Sequence, residues 1–437
     1  MSVKNVLVFP AGTEIGQEIL NALKGCKEVR LFGAGQDTLN HARFSYSEYH
    51  TLPSVHDTGW VERLAALCRK LEIDYVFPAH DDVVLALARA TADVPATIIS
   101  SPVETCEIAR SKSATYEKLA DMLRVPRLYA SAAEIETYPV FVKPDRGEGS
   151  RGATKIYSPD DLTQALANVP EPIICEYLPG EEFTVDCFSD RDKGLLFAGA
   201  RERRRTKNGI STNTITVSLP EIDDLARAIS TTLELHGAWF FQLKRAADGE
   251  FALLEIAPRI AGSMAVHRVK GVNFPLLSIF EAQRAPITIR TNPGHVELDR
   301  ALSNRYRNPI DFTALYVDFD DTLILNGKVN IEIVKLIYQC INRSIPVKLL
   351  TRHAGNLTRK LEEHRLSGLF DAVIHLRNGE LKSQEICEPG AILVDDSFAE
   401  RMEVSNRRGI PTFDCSMIEL ISASAECQIS PFATDDR

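Results

Sequence analysis

The chain has 437 residues, of which 44% are hydrophobic and 25% charged, with a formal net charge of −10. That length exceeds one ordinary core and predicts roughly three domains at about 150 residues each. The acidic balance argues against a general binder of nucleic acid or anionic membrane, and nine scattered cysteines without a CxxC pair argue against a zinc or redox motif.

Residues 1–110 read as an α/β domain. Apolar runs at 6–9, 29–32 and 75–78 alternate with helical patterns at 15–23 and 60–71, the signature of a parallel sheet with crossover helices. The N-terminal apolar stretch soon meets Gly12 and Glu14, too short for a signal peptide or a membrane span. Scattered thiols suit a reducing compartment, so a cytoplasmic protein is expected. Gly12-Thr13-Glu14-Ile15-Gly16 is a fragment of a dinucleotide fingerprint without its spacing. His80, Asp81 and Asp82 follow a strand and either touch a substrate or cap the loop.

Residues 111–305 change character to α+β. Helices are expected at 114–123, 160–167 and 222–235, and strands at 139–143, 173–176, 183–188, 197–200, 240–244 and 251–255. The strand ending in Lys143 runs into a glycine-rich loop at 145–152, where backbone N–H groups can approach phosphate closely. Glu176 ends the next strand and Glu182 follows six residues later. Glu255 ends an apolar strand, with Gln242 on the strand before it. Facing oxygen ligands on paired strands suit Mg²⁺ against a triphosphate. The basic run 201–209 is either a solvated face or a loop that receives an anionic substrate, and 290–309 reads as a linker.

Residues 310–437 return to alternating α/β, with strands at 314–317, 347–350, 372–376 and 392–394 and helices at 331–343, 357–365 and 398–407. Asp318 and Asp320 leave the first strand two residues apart. Such a pair can hold Mg²⁺ while one carboxylate attacks phosphorus and the other protonates the leaving oxygen. The alternative is an acidic strand-to-helix turn with a helix cap. Thr351 ends the second strand, Lys382 follows, and Asp395-Asp396 end the last.

Two families are resembled. Residues 1–290 resemble the ATP-grasp superfamily, in its carbamoyl-phosphate-synthase-like branch, with a Rossmann-like pre-ATP-grasp domain at 1–110 and the ATP-grasp domain at 111–305. The resemblance implies ATP and Mg²⁺, with Mn²⁺ as the alternative cation. It places nucleotide binding on Lys112, Lys143, Gly149, Ser150, Glu176, Leu178 and Glu182, metal binding on Gln242 and Glu255, and phosphate or acyl-phosphate contact on Arg259. Ser211 and Thr214 would lie near the acyl phosphate. The family pattern Glu-x-Asn-Pro-Arg is broken here by Ala257, which removes one usual metal ligand.

Residues 312–423 resemble haloacid-dehalogenase (HAD) phosphatases. By that resemblance Asp318 is the nucleophile, Asp320 the acid/base, and Thr351 and Lys382 bind phosphate. Asp318, Asp320, Asp395 and Asp396 hold Mg²⁺, supported by Glu400. Intervals of 33 residues from Asp318 to Thr351 and 31 from Thr351 to Lys382 leave no room for a cap domain, so a capless, open site is expected.

The expected function is an ADP-forming carboxylate-amine ligase acting through an acyl phosphate, fused to a phosphatase of the same pathway. A small carboxylate, an amine and a phosphorylated compound are the partners, without nucleic acid or membrane, and a homodimer is left open. The alternatives are a phosphatase whose ATP-grasp part only senses nucleotide, and a ligase with an idle HAD scaffold.

Overall fold

The computed structural model describes residues 2–147, 149, 151–306, 310–377 and 379–422, which fold as two compact units, 1–303 and 304–437. Among the described residues no helix is long and apolar enough to cross a membrane.

The first unit holds three sheets. A five-stranded parallel sheet runs in the order Tyr49–Thr51, Val29–Gly35, Lys4–Phe9, Tyr75–Pro78, Thr97–Ile98. Its central strands are buried on both faces, as parallel strands between helices must be. Val6 and Val8 enter one core, while Leu7 and Phe9 enter another on the opposite side. A small four-stranded antiparallel sheet follows, in the order Leu128–Tyr129, Pro172–Glu176, Val140–Pro144, Thr154–Ile156. A six-stranded antiparallel sheet is the largest, in the order Phe251–Ala257, Gly237–Arg245, Glu182–Asp190, Gly194–Lys207, Ile210–Val217, Glu297–Asp299.

Alternation on the six-stranded sheet divides its labour. Phe183, Val185, Trp239 and Phe241 point to a core closed by the helix Ile222–Thr232. The opposite face is apolar at one end, where Phe188, Phe240 and Ala257 share a single core with Val6, Val8, Ile19 and Phe77 of the parallel sheet. The rest of that face is polar and forms the floor of a cleft.

Several expectations are corrected. The segment 290–309 is not simply a linker, because Glu297–Asp299 pairs with Ile210–Val217 and completes the sheet edge. A three-residue strand leaves too little pattern to read. The strand Ile210–Val217 carries no apolar period, because its buried positions are Ser211, Thr214 and Thr216. The strand expected at 197–200 extends over Gly194–Lys207. The helix expected at 114–123 is Lys112–Leu119, started by Ser111, whose hydroxyl accepts from Ala114 N. The helix expected to run to 235 ends at Thr232.

The second unit is a five-stranded parallel sheet in the order Ala372–His375, Val347–Thr351, Ala314–Val317, Ala391–Val394, Thr412–Phe413. Leu315 and Val317 enter a core with the helix Ile331–Asn342, and Ala314 and Tyr316 enter a second core behind. The chain between Asp318 and Thr351 holds a short hairpin, Ile324–Leu325 with Lys328–Val329, and one helix.

Phe240 is 4% exposed in the core that joins two sheets. Phe240→Ala should destabilise the first unit by about 3–5 kcal/mol, from lost transfer energy and a residual cavity. Both tryptophans, Trp60 and Trp239, lie in that unit, so denaturant unfolding followed by tryptophan fluorescence should show the shifted midpoint.

Candidate active sites

In the first unit the small sheet and the six-stranded sheet enclose a cavity of about 230 Å³. The small sheet contributes Phe141, Lys143 and Cys175, the segment just after it Tyr177 and Leu178, and the large sheet Glu182, Gln242, Leu254 and Glu255. This cavity opens into a cleft of about 900 Å³, which reaches the carboxyl ends of the parallel strands at Thr13, Glu14, His80 and Asp81. Lys112, Gly149, Arg203, Gln242 and Glu255 border both spaces.

The floor is built by register. Glu255, Gln242, Thr184 and Arg201 are successive partners across four antiparallel strands, so their side chains share one face. A bulge at Leu254 lies between the Leu243–Leu253 and Gln242–Glu255 pairs and sets Glu255 opposite Gln242. The Leu254 carbonyl accepts from Tyr116 Oη at 2.8 Å, and Tyr116 Oη in turn accepts from Lys143 Nζ at 2.8 Å. Lys143 is thus 8% exposed with a phenol, not a carboxylate, as its hydrogen-bond partner. Burial pushes the Lys112 ammonium below its ordinary range, with Lys143 and Arg110 adding to that and Glu255 opposing it. Lys112 Nζ donates to the carbonyls of Asp145 and Gly147 at 3.2 and 3.4 Å.

Two loops meet above the cavity. Gly149 (φ +59°) touches Gly209 (φ +73°) in the turn after Lys207, and a Cβ on Gly209 would lie 2.2 Å from the Gly149 carbonyl carbon. Only glycine at both positions permits this approach. Ser150 lies outside the described residues.

Arginine–carboxylate pairs hold the remaining charges. Arg201 and Asp186, 2% and 0% exposed, form a two-pronged pair at 2.8 and 3.1 Å. Arg203 Nε lies 3.1 Å from Glu182. The basic run is therefore neither a wholly solvated face nor a loop: Arg201 and Arg203 face inward from a strand, while Arg204 and Arg205 stay exposed. Arg259 is held by both oxygens of Asp81 at 2.7 Å. Asp82 pairs with Arg110 at 2.6 Å. Glu176 points its carboxylate to Arg124 at 2.9 Å, while the neighbouring Leu178 lines the cavity. Ala257 packs against the shared core at the edge of the cleft. Arg110, Tyr116, Asp186 and Arg203 were not singled out from the sequence. The alternation within the basic run was the one signal that pointed to Arg203.

In the second unit Asp318, Asp395 and Asp396 each offer an oxygen within 4.8 Å of the others, a hard-donor set that fits a divalent cation. Lys382 Nζ bridges Asp318 and Asp395 at 2.6 Å each. Burial pushes the Asp318 carboxyl up to about 6, against the pull of Lys382 and with help from Asp395. Burial alone would lower the Lys382 ammonium, but Asp318 and Asp395 hold it above its ordinary value. Thr322 joins the site by donating to Asp396 at 3.2 Å and accepting from its N–H at 2.9 Å. Thr351 is buried at its strand end, and its hydroxyl accepts from His353 N at 3.2 Å. Two expected ligands look elsewhere: Asp320 contacts His353, and Glu400 pairs with Arg352 at 2.9 Å.

Asp186→Ala should cost about 3–5 kcal/mol, because it strands the Arg201 guanidinium in the interior. Asp186→Leu combined with Arg201→Met should recover most of that loss in the same unfolding measurement.

Residues 168–299 match a sequence family described as ATP-grasp in the biosynthetic pathway with Ter operon. Over 74 residues the chain is 31% identical to the D-alanine–D-alanine ligase of Fusobacterium nucleatum subsp. nucleatum, a match covering 17% of this chain and 26% of that protein. The chain thus spans about a quarter of the length of that curated relative. The biotin carboxylase domain of Hydrogenobacter thermophilus 2-oxoglutarate carboxylase, in complex with MgADP, ADP and bicarbonate, is similar at a TM-score of 0.56 and 15% identity, over 68% of this chain and 74% of that one. The L-amino acid ligase from Bacillus licheniformis is similar at 0.50 and 19% identity, over 67% of this chain and 78% of that one. A small and a large antiparallel sheet enclosing a cavity, together with these likenesses, are consistent with an ATP-grasp fold in the first unit.

Proposed function

We propose that the first unit is an ATP-dependent carboxylate-amine ligase and the second a phosphatase with an aspartyl nucleophile. The observation that carries the ligase reading is the junction of the two cavities. A pocket of about 230 Å³, with Phe141, Leu178 and Leu254 among its lining, opens past Lys143, Gln242 and Glu255 into a larger arginine-lined cleft where a second substrate has room. Likeness to a D-alanine–D-alanine ligase and an L-amino acid ligase supports the same reading.

In this reading ATP lies between the sheets, with its base against Phe141, Leu178 and Leu254. Lys112 and Lys143 lie beside the phosphates, and Glu255 and Gln242 would hold Mg²⁺. Bound there, the cation would offset charge on the transferring phosphoryl group. A substrate carboxylate oxygen attacks the γ-phosphorus, the P–O bond to ADP breaks, and an acyl phosphate forms. An amine then attacks the acyl carbon, expels phosphate and gives an amide. Arg259, oriented by Asp81, is placed to stabilise the anion that develops.

In the second unit Asp318 attacks the phosphorus of a phosphomonoester as the bond to the leaving oxygen breaks, and Asp320 gives that oxygen a proton. Water then attacks the aspartyl phosphate, Asp320 takes its proton, and phosphate leaves. Lys382 and Thr351 hold phosphoryl oxygens, and Asp318, Asp395 and Asp396 would hold Mg²⁺. Three oxygens that converge while a buried lysine bridges two of them support this reading. The loss of one metal ligand at Ala257 favours a second reading of the first unit, a nucleotide sensor without ligase chemistry.

Purified protein with Mg²⁺ and ATP should release ADP only when a carboxylate and an amine are both supplied from pooled candidates. Glu255→Ala should abolish that release. Gly209→Ala should raise the Kd for ATP about tenfold, by forcing the two loops apart. ATP binding without substrate-dependent ADP would leave the sensor reading instead. Asp318→Asn should lower p-nitrophenyl phosphate turnover by about 10³-fold or more, and chelation of Mg²⁺ should silence both activities.

A further inference from the structure

Asp320 occupies an exposed turn. Its backbone is fixed: Asp321 takes a left-handed conformation at φ +53°, and Ile324 N donates to the Phe319 carbonyl at 2.8 Å. Its side chain is another matter, being 52% exposed with two free torsions. The structure gives that carboxylate one firm neighbour. His353 Nδ1 lies 3.0 Å from Oδ1 and 3.0 Å from Oδ2, a single ring nitrogen centred on the carboxylate, to which it donates in the tautomer protonated at Nδ1.

His353 is itself held on three sides. Its ring packs edge-to-face on Phe319 at 5.0 Å and 69°. Its backbone N–H donates to Thr351 Oγ1 at 3.2 Å, and its carbonyl accepts from His375 Nε2 at 2.7 Å. The ring side chain is 13% exposed, against 52% for the aspartate it meets. A largely buried ring thus meets an exposed carboxylate. The residue that packs under the ring, Phe319, lies between Asp318 and Asp320 in the chain. His353 reaches Asp320 from the loop that begins directly after the strand ending in Thr351.

We propose that His353 is a positioning residue that fixes the rotamer of Asp320 for proton delivery to the leaving oxygen. The inference rests on the phosphatase reading of the second unit. A general acid works only within about 2.6–3.2 Å of the atom it protonates, and a misplacement of about 1 Å can cost roughly 10²-fold in rate. An aspartate free to rotate in solvent would meet that requirement for a fraction of the time. The imidazole removes the search.

Leaving-group dependence separates this role from a structural one. A phosphate ester with an acidic leaving group, p-nitrophenyl phosphate, needs little protonation, whereas phenyl phosphate, nearly the same shape, needs much more. In the full chain with Mg²⁺, His353→Ala should lower kcat for phenyl phosphate by roughly 10²-fold or more. It should lower kcat for p-nitrophenyl phosphate less than about tenfold, with KM for both nearly unchanged. His353→Asn, whose side-chain N–H falls close to that of Nδ1, should restore most of the phenyl phosphate rate, and His353→Gln should not. If the alanine variant fails to fold, the asparagine and glutamine variants carry the comparison. Equal losses on both esters, no loss on either, or a wild-type protein that hydrolyses p-nitrophenyl but not phenyl phosphate would each overturn the role of His353 and leave the phosphatase standing. A wild-type protein inactive on both esters, and indistinguishable from Asp318→Asn, would overturn the phosphatase reading and this inference together.

Discussion

Asp186 and Arg201 sit at the centre of the six-stranded sheet with almost no exposure, and neither is tolerable there alone. The same constraint recurs wherever these units bury charge. Arg203 meets Glu182, Arg259 meets Asp81, Glu18 meets Arg268, and Lys382 meets two aspartates at once. Arg203–Glu182 and Arg201–Asp186 each join two neighbouring strands, so the polar floor of the cleft is held by its own counter-charges. Burial pushes the Glu18 carboxyl above its ordinary value, against the pull of Arg268. Lys143 differs: its partner is the Tyr116 phenol, so its positive charge stays uncancelled by that contact and faces the cavity.

Much of the architecture was legible because buried strands write themselves as apolar runs. The strands Tyr75–Pro78 and Ala314–Val317 coincide with such runs, and Asp318, Thr351 and Asp395 stand at strand ends where the pattern breaks. What was hidden follows from a different physics. Ile210–Val217 lines its buried face with hydroxyls, and Glu297–Asp299 is three residues long, so neither produces a hydrophobic period. The basic run misled for a related reason. A row of arginines reads as solvated surface until the facing strand is known to carry Glu182 and Asp186.

The site residues divide in the same way. Residue type and position put Gln242 and Glu255 forward on paired strands, Asp318 at a strand end and Lys382 between two strands. Position alone was silent about partners, because these are long-range. The Tyr116 phenol reaches a carbonyl 138 residues away, and Asp81 holds an arginine 178 residues away. His353 is the clearest case. Nothing in its neighbourhood along the chain marks it, yet folding places its ring nitrogen on a carboxylate 33 residues upstream.

The single core shared by the parallel sheet and the six-stranded sheet bears on inheritance. On that side Val6, Val8 and Phe77 share one core with Ile15, Ile19 and Leu23 of their own segment and with Phe188, Phe240, Met264 and Phe274 of the following one. A recombination event that swapped the N-terminal α/β segment for another would have to preserve the shape of that seam as well as the fold on either side of it. Substitutions along it are therefore expected to arise in compensating sets, and the segment that borders the cleft at Glu14 and Asp81 should travel through evolution with the sheet beneath it.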